Sequence, residues 1–239
     1  MKFKVLIGVA IITVFTAGIF LKKEAAVFQE NQQAAALYNN VETRPINHLD
    51  TEDIKNQQAI TEWSLMLVNA THKIPNGYTV ELQKLPDNQA VDKRIYPELQ
   101  EMFQSAKVQG LFLKISSSYR TTAEQKAIMA DKIWTFQKQG FSRNAAKKEA
   151  EKWVAAPKTS EHELGLAVDI NAKPNKSLDL DVYNWLAENA YKYGFILRYP
   201  SEKTEITGVD YEPWHYRYVG KSAAKEIYES GLTLEEYLQ

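Results

Sequence analysis

The sequence predicts an α+β fold, a small antiparallel sheet with flanking helices, preceded by one N-terminal transmembrane helix. Three observations carry this expectation. Helix-period and strand-period segments are mixed without the regular βαβ alternation of a parallel sheet. The strand candidates are short and are separated by Gly, Pro and polar turns. An uncharged, mostly apolar run from Val5 to Leu21 stands apart from a remainder of ordinary globular composition.

Lys2 and Lys4 precede that run, and Lys22 and Lys23 close it. It lies at the short end of a membrane span and exceeds the apolar core of a signal peptide. This favours an uncleaved anchor (residues 1–23) over a cleaved signal, in a single-pass cell-membrane protein with its remaining chain outside the cytoplasm. Residues 24–59 are rich in Gln, Asn, Ala and acids, as expected of an extracytoplasmic stalk.

The globular domain is expected over 60–239. It opens with the apolar run and Pro-Asn-Gly turn of LMLVNATHKIPNGY. Val91, Ile95, Leu99, Met102, Phe103 and Ala106 recur at helical spacing, and Gly110 ends that helix. LFLKI (111–115) predicts a strand. A Thr-capped helix with Glu124 nearby runs to Gly140, and a Ser-capped helix covers 142–156. LAVDIN (166–171), FILRY (195–199) and HYRYVG (215–220) predict strands, residues 181–194 a helix, and the tail from Lys221 a helical end. Trp134, Trp153 and Trp185 sit at helical-face spacings expected of core residues.

The chain is 44% hydrophobic and 25% charged, with a net charge of -1. That near balance excludes the basic footprint of a nucleic-acid binder. There is no cysteine, so stability must come from the core or from a metal rather than from disulfides.

With only four histidines, the placing of two of them is informative. His162 and Asp169 lie on either side of Gly165, which permits the sharp bend needed to turn both inward. His215 opens another predicted strand, three residues after Glu212. Two imidazoles and a carboxylate form an open zinc set with a fourth position left for water. Hydrolysis there also needs a carboxylate off the metal, to take a proton from the attacking water and return it to the leaving amine; Glu212 stands where that group is needed. Each residue has an ordinary alternative: a His beside acids is commonly surface or core, and an Asp after a strand commonly caps a turn. Spacing alone leaves both readings open. Glu161 and Glu163 are expected to face solvent.

The motif S-x-H-x-x-G-x-A-x-D from Ser160 to Asp169, followed by Glu212-Pro-Trp-His215, resembles the zinc D-alanyl-D-alanine carboxypeptidases of the VanY type. Ser118-Tyr119-Arg120 with Gln125, and the segment LVNATHKIPNGY, agree with it. The resemblance spans about residues 67–220. It implies one Zn2+ held by His162, Asp169 and His215, with Glu212 as general base and acid. Arg120 is implied to stabilise the developing oxyanion or to hold the substrate carboxylate, and a guanidinium suits either task. Gln125, Ser160, Tyr119 and Ser118 complete the implied substrate-binding set. Ser118 replaces a Gly common in the family, and Glu163-Leu164 replaces a common Gln-Thr; both changes leave the ligands intact. The implied substrate is a peptidoglycan stem peptide ending in D-alanyl-D-alanine. The same metal set is implied for related dipeptidases, phage endolysin peptidases and hedgehog-type domains, so substrate choice does not follow from it. The alternatives are an L,D-carboxypeptidase acting on stem tetrapeptides and a non-catalytic wall-binding module that keeps zinc only for structure.

Overall fold

The computed structural model describes residues 63–239. The expected anchor and stalk lie outside the described residues, among which no helix is long and apolar enough to cross a membrane.

A hairpin precedes the first long helix. Strand β1 (Leu82–Lys84) pairs antiparallel with β2 (Ala90–Asp92). Asp87 and Asn88 turn the chain with φ of 57° and 58°, a left-handed pair that Asp and Asn tolerate well. Helix α1 (Tyr96–Val108) therefore begins later than the apolar spacing from Val91 predicts. Val91 is buried from a strand, and Pro97 in the first turn pre-sets the helical φ. Leu99, Met102 and Ala106 form the buried stripe of α1.

Strand β3 (Leu113–Ser117) follows, two residues beyond the predicted window. Helix α2 (Thr122–Lys138) opens on a capping box made by Thr121 and Glu124. Helix α3 (Arg143–Glu151) is capped by Ser142 and ends well before Pro157. A 3-10 turn (Glu161–Leu164) leads into β4 (Ala167–Ala172). Helix α4 (Asp179–Asn189) continues as a 3-10 turn to Gly194, whose left-handed φ starts β5 (Phe195–Leu197). Short α5 (Thr204–Thr207), β6 (His215–Tyr218), α6 (Lys221–Ser230) and α7 (Leu234–Tyr237) complete the chain.

The main sheet has the order β3-β4-β6-β5, and every pair is antiparallel. The expected α+β class with a small antiparallel sheet is thus the observed one. Val168, Ile170 and Ala172 of β4, with Tyr216 and Tyr218 of β6, join Leu99, Met102, Val182 and Leu186 of α1 and α4 in one core. Each fully buried Val, Leu or Ile there contributes about 1.5–3 kcal/mol. Because side chains alternate along a strand, Asp169 and His215 point to the opposite face. Register then aligns them: Asp169 is opposite both Ser117 of β3 and His215 of β6.

The tryptophans divide. Trp185 is 7% exposed and belongs to the core, but Trp134 and Trp153 are 53% and 40% exposed. Helices α2 and α3 pack mainly on each other, away from the sheet, and so leave these faces open. Lys138 covers the Trp134 ring and Lys132 the Trp153 ring, which partly shields both.

Candidate active site

Three elements converge on the face of the sheet opposite the core. His162 arrives on the 3-10 turn after Ser160, which ends at Gly165 with φ of 75°. A side chain could not stand there cheaply, since a Cβ on Gly165 would lie 2.9 Å from the backbone N of Asp92. That amide donates to the Gly165 carbonyl and ties the turn to the β1–β2 hairpin. Asp169 comes from the centre of β4 and His215 from the start of β6.

Ligand atoms of His162, Asp169 and His215 all lie within 4.8 Å of one another. His162 Nε2 is 3.4 Å from Asp169 Oδ1, and His215 Nδ1 is 3.1 Å from the same oxygen. The rings meet edge to face with centroids 4.9 Å apart. Each ring is oriented from behind. The carbonyl of Ser118 faces His162 Nδ1 at 2.8 Å, and Glu161 Oε2 faces His215 Nε2 at 3.4 Å. This leaves Nε2 of His162 and Nδ1 of His215 turned inward. Two buried imidazole nitrogens and a carboxylate oxygen, converging with their outer atoms occupied, fit a zinc ion.

The electrostatics follow from burial and neighbours. Burial lowers the His162 pKa. Burial also opposes a charge on His215, but Asp169 and Glu161 outweigh it and hold the imidazolium up to about 9 in the metal-free site. Burial would raise Asp169, yet the two histidines keep its carboxyl far below the usual carboxylate range.

Glu212 is 7% exposed and lies in the turn before β6, where its carbonyl accepts the His215 amide. Its Oε2 is 3.7 Å from His215 Nδ1. Burial pushes its carboxyl up to about 7, with Asp169 adding to the rise and His215, Arg120 and Lys132 opposing it. It is thus a carboxylate beside the ligand set, with a proton affinity near neutrality.

Arg120 follows β3 and reaches the other side of Asp169, its Nη2 lying 3.2 Å from Asp169 Oδ2. Ser117 Oγ accepts from its Nε and Nη2, and Gln125 Oε1 accepts from Nη1. Burial lowers the Arg120 pKa, and Asp169, Glu212 and other carboxylates oppose that. Arg120 borders a cleft of about 210 Å³ over His162, Asp169 and His215, which Ser160, Lys132, Trp153, Tyr199 and Trp214 also line. It borders a second cleft of about 370 Å³ beside residues 74–80, which Tyr119 shares.

Two of the expected substrate-binding residues are buried and hydrogen-bonded within the protein. Ser118 is 1% exposed; its hydroxyl donates to Gln89 and accepts from the Ala90 amide, fastening the hairpin to the site. Gln125 is fully buried, with its amide donating to the Ala155 carbonyl while its oxygen holds Arg120. Glu161 and Glu163, expected in solvent, are 2% and 6% exposed. Glu163 accepts the amide of Lys158, a residue with φ of 67°, and so secures the turn ahead of Ser160. Glu161 is held by Arg198 and Arg217, neither of which spacing flagged. The available signal was a lone arginine inside each of the aromatic-rich strands FILRY and HYRYVG, where a buried charge requires a partner.

The family profile described as VanY, D-alanyl-D-alanine carboxypeptidase, matches residues 88–221, which include every residue of this cluster. The chain belongs to this family. A D-alanyl-D-alanine carboxypeptidase of Enterococcus faecalis is 53% identical over 184 residues, covering 77% of this chain and 69% of the relative. The crystal structure of a mutant of the vancomycin resistance D,D-pentapeptidase VanY, in complex with Zn(II), superimposes with a TM-score of 0.73 at 53% identity. It covers 74% of this chain and 100% of that one. The LD-carboxypeptidase LdcB matches with a TM-score of 0.58 at 36% identity, over 72% and 84% of the two chains. Like its VanY-family relatives, this chain is a zinc metallo-carboxypeptidase.

Proposed function

We propose that this VanY-family protein removes the terminal D-alanine from peptidoglycan stem peptides ending in D-alanyl-D-alanine, with His162, Asp169 and His215 holding Zn2+. When bound, the ion supplies Lewis-acid polarisation of the scissile carbonyl. Glu212 accepts a proton from the attacking water and delivers it to the departing amine. The observation that carries this is the placing of Glu212: buried in the cleft, next to the ligands, with its carboxyl raised to about 7. A group with that affinity can both accept and release a proton near neutral pH. Arg120 is anchored by Ser117, Gln125 and Asp169, so its guanidinium meets developing negative charge without reorganising. Ser160 and Tyr119 line the clefts that flank it, in position to contact the peptide end.

The apolar run Val5–Leu21 supports a single-pass anchor in the cytoplasmic membrane with the catalytic domain outside, where stem peptides are found. Trimming D-alanyl-D-alanine ends there removes the target of vancomycin-type antibiotics.

The test is to incubate zinc-loaded protein separately with a muropeptide pentapeptide and a tetrapeptide, and to follow products by mass. Loss of one alanine from pentapeptide alone, absent in Glu212→Ala, is expected. Cleavage of tetrapeptide instead would move the protein to the L,D specificity of its more distant structural relative. Release from neither would refute the assignment.

A further inference from the structure

We infer that Glu161 is a positioning residue for the metal centre: its buried carboxylate takes the Nε2–H of His215 and so turns the Nδ1 lone pair of that ring toward Asp169. The inference rests on the reading of His162, Asp169 and His215 as the metal ligands.

Imidazole has two nitrogens, and only the one without a proton can bind a metal. The proton's place is set by what the other nitrogen meets. For His162 a backbone carbonyl settles the matter, because Ser118 O can only accept. For His215 both nitrogens face carboxylates, Asp169 on one side and Glu161 on the other. Asp169 joins the ligand set, so Glu161 is left to hold the outer proton.

Glu161 is equipped for this. Its side chain is fully buried, and its Oε1 accepts from Arg198 Nε at 2.8 Å and Arg217 Nη1 at 2.9 Å. With Oε1 engaged, Oε2 is directed to His215. The arginines are themselves fixed. Arg217 donates to the carbonyls of Ser64, Met66 and Tyr218. Arg198 makes a two-pronged contact with Glu235, in the first turn of α7. Two carboxylates and two guanidinia leave the cluster neutral, so Glu161 stays ionised without solvent. The guanidinia hold it as a pure acceptor, and a pure acceptor admits only the Nε2–H form of His215.

Glu161→Gln separates this role from a scaffolding one. A glutamine keeps the shape and can still present its oxygen to the two arginines. Its NH2 then faces His215 Nε2, which must become the acceptor, and the ring proton moves to Nδ1 where the metal should sit. Glu235→Gln is the control, since it removes a partner of the same Arg198 without touching His215. In full-length protein we expect chelator competition to show zinc affinity lowered about 10–100-fold in Glu161→Gln and by far less in Glu235→Gln, which loosens Arg198 but leaves the Glu161 carboxylate facing His215. Thermal melts of the metal-free forms report any stability loss separately. Equal zinc affinity in wild type and Glu161→Gln, or equal losses in both variants, would overturn the positioning role. Failure of the wild type to bind zinc would instead remove the reading it rests on. Should Glu161→Gln not fold, the wild type still decides. With 15N-labelled histidine and bound zinc, His215 should show a protected, hydrogen-bonded Nε2–H and a metal-bound Nδ1; a rapidly exchanging Nε2–H would overturn the inference.

Discussion

Replacing Gly165 with alanine should damage both stability and metal binding, and the structure allows the two sources of damage to be sized. Gly165 has φ of 75°, and an alanine held there costs about 1–2 kcal/mol from backbone conformation alone. Its Cβ would also lie 2.9 Å from the Asp92 amide nitrogen and 3.5 Å from Asp92 Cα. These are main-chain atoms, so the hairpin must retreat. Retreat weakens the 2.9 Å bond from the Asp92 amide to the Gly165 carbonyl, worth about 1 kcal/mol. The sum is about 2–3 kcal/mol.

Gly208→Ala is the matched control: its φ of 71° is similar, but nothing lies within 4 Å of the added Cβ. It should lose only the conformational part, about 1–2 kcal/mol. Urea unfolding of the metal-free proteins measures both, with unchanged slope as the check on two-state behaviour. Gly165 also carries the amide that bonds the His162 carbonyl, so Gly165→Ala should weaken zinc binding while Gly208→Ala should not. Equal stability losses, or intact zinc affinity in Gly165→Ala, would refute the claim that close approach at this turn sets the ligand geometry.

Other outcomes follow from the same geometry. Glu212→Gln should lower kcat by about 10²–10⁴-fold while zinc affinity stays near wild type; a large loss of zinc would make Glu212 a ligand instead. Since Glu212 must be ionised to accept a proton, kcat/KM of the wild type should fall on the acid side with a midpoint at or below about 7, a bound cation drawing the value down. A pH-independent rate between 5 and 8, measured on a stem-peptide substrate, would contradict this assignment. Glu235 is held below its ordinary 4.5, burial opposing the shift and Arg198 and Asn69 outweighing it. A depressed carboxylate contributes stability above the unfolded pKa and loses it as pH falls. The melting-temperature gap between wild type and Glu235→Gln should therefore be full at pH 7 and shrink below about 4.5. Trp134→Ala should change unfolding free energy by no more than about 0.5 kcal/mol and Trp185→Ala by about 3–5 kcal/mol, which comparative denaturation would check.

Much of the site was legible in the chain because its markers are local. A Gly three residues after His162 announces a turn that only a left-handed residue completes, and Asp169 within an apolar strand is conspicuous. Glu212 just before His215 places a second carboxylate beside a ligand. Periodicity likewise located α1, α2 and the strands to within a few residues, since the buried stripe of a helix and the alternation of a strand are written in neighbouring positions. The β1–β2 hairpin was missed because its strands are three residues each, too short for alternation to register.

The remainder depends on partners far away in sequence. Glu161 looks like a surface acid beside a histidine; only Arg198, just after β5, and Arg217 of β6, 37 and 56 residues later, pair with it and make its burial tolerable. The same holds for Ser118 and Gln125, whose polar ends are absorbed by the hairpin and by Arg120 and Ala155 before any substrate arrives. Trp134 and Trp153 fail in the opposite sense, since a helical stripe marks an apolar face without saying whether another element will cover it. The sequence by itself determined the elements, the bend at Gly165 and the types of chemical group at the site. The tertiary structure alone decided their register and their neighbours, because burial and hydrogen-bond partners are properties of what the chain meets after it has folded.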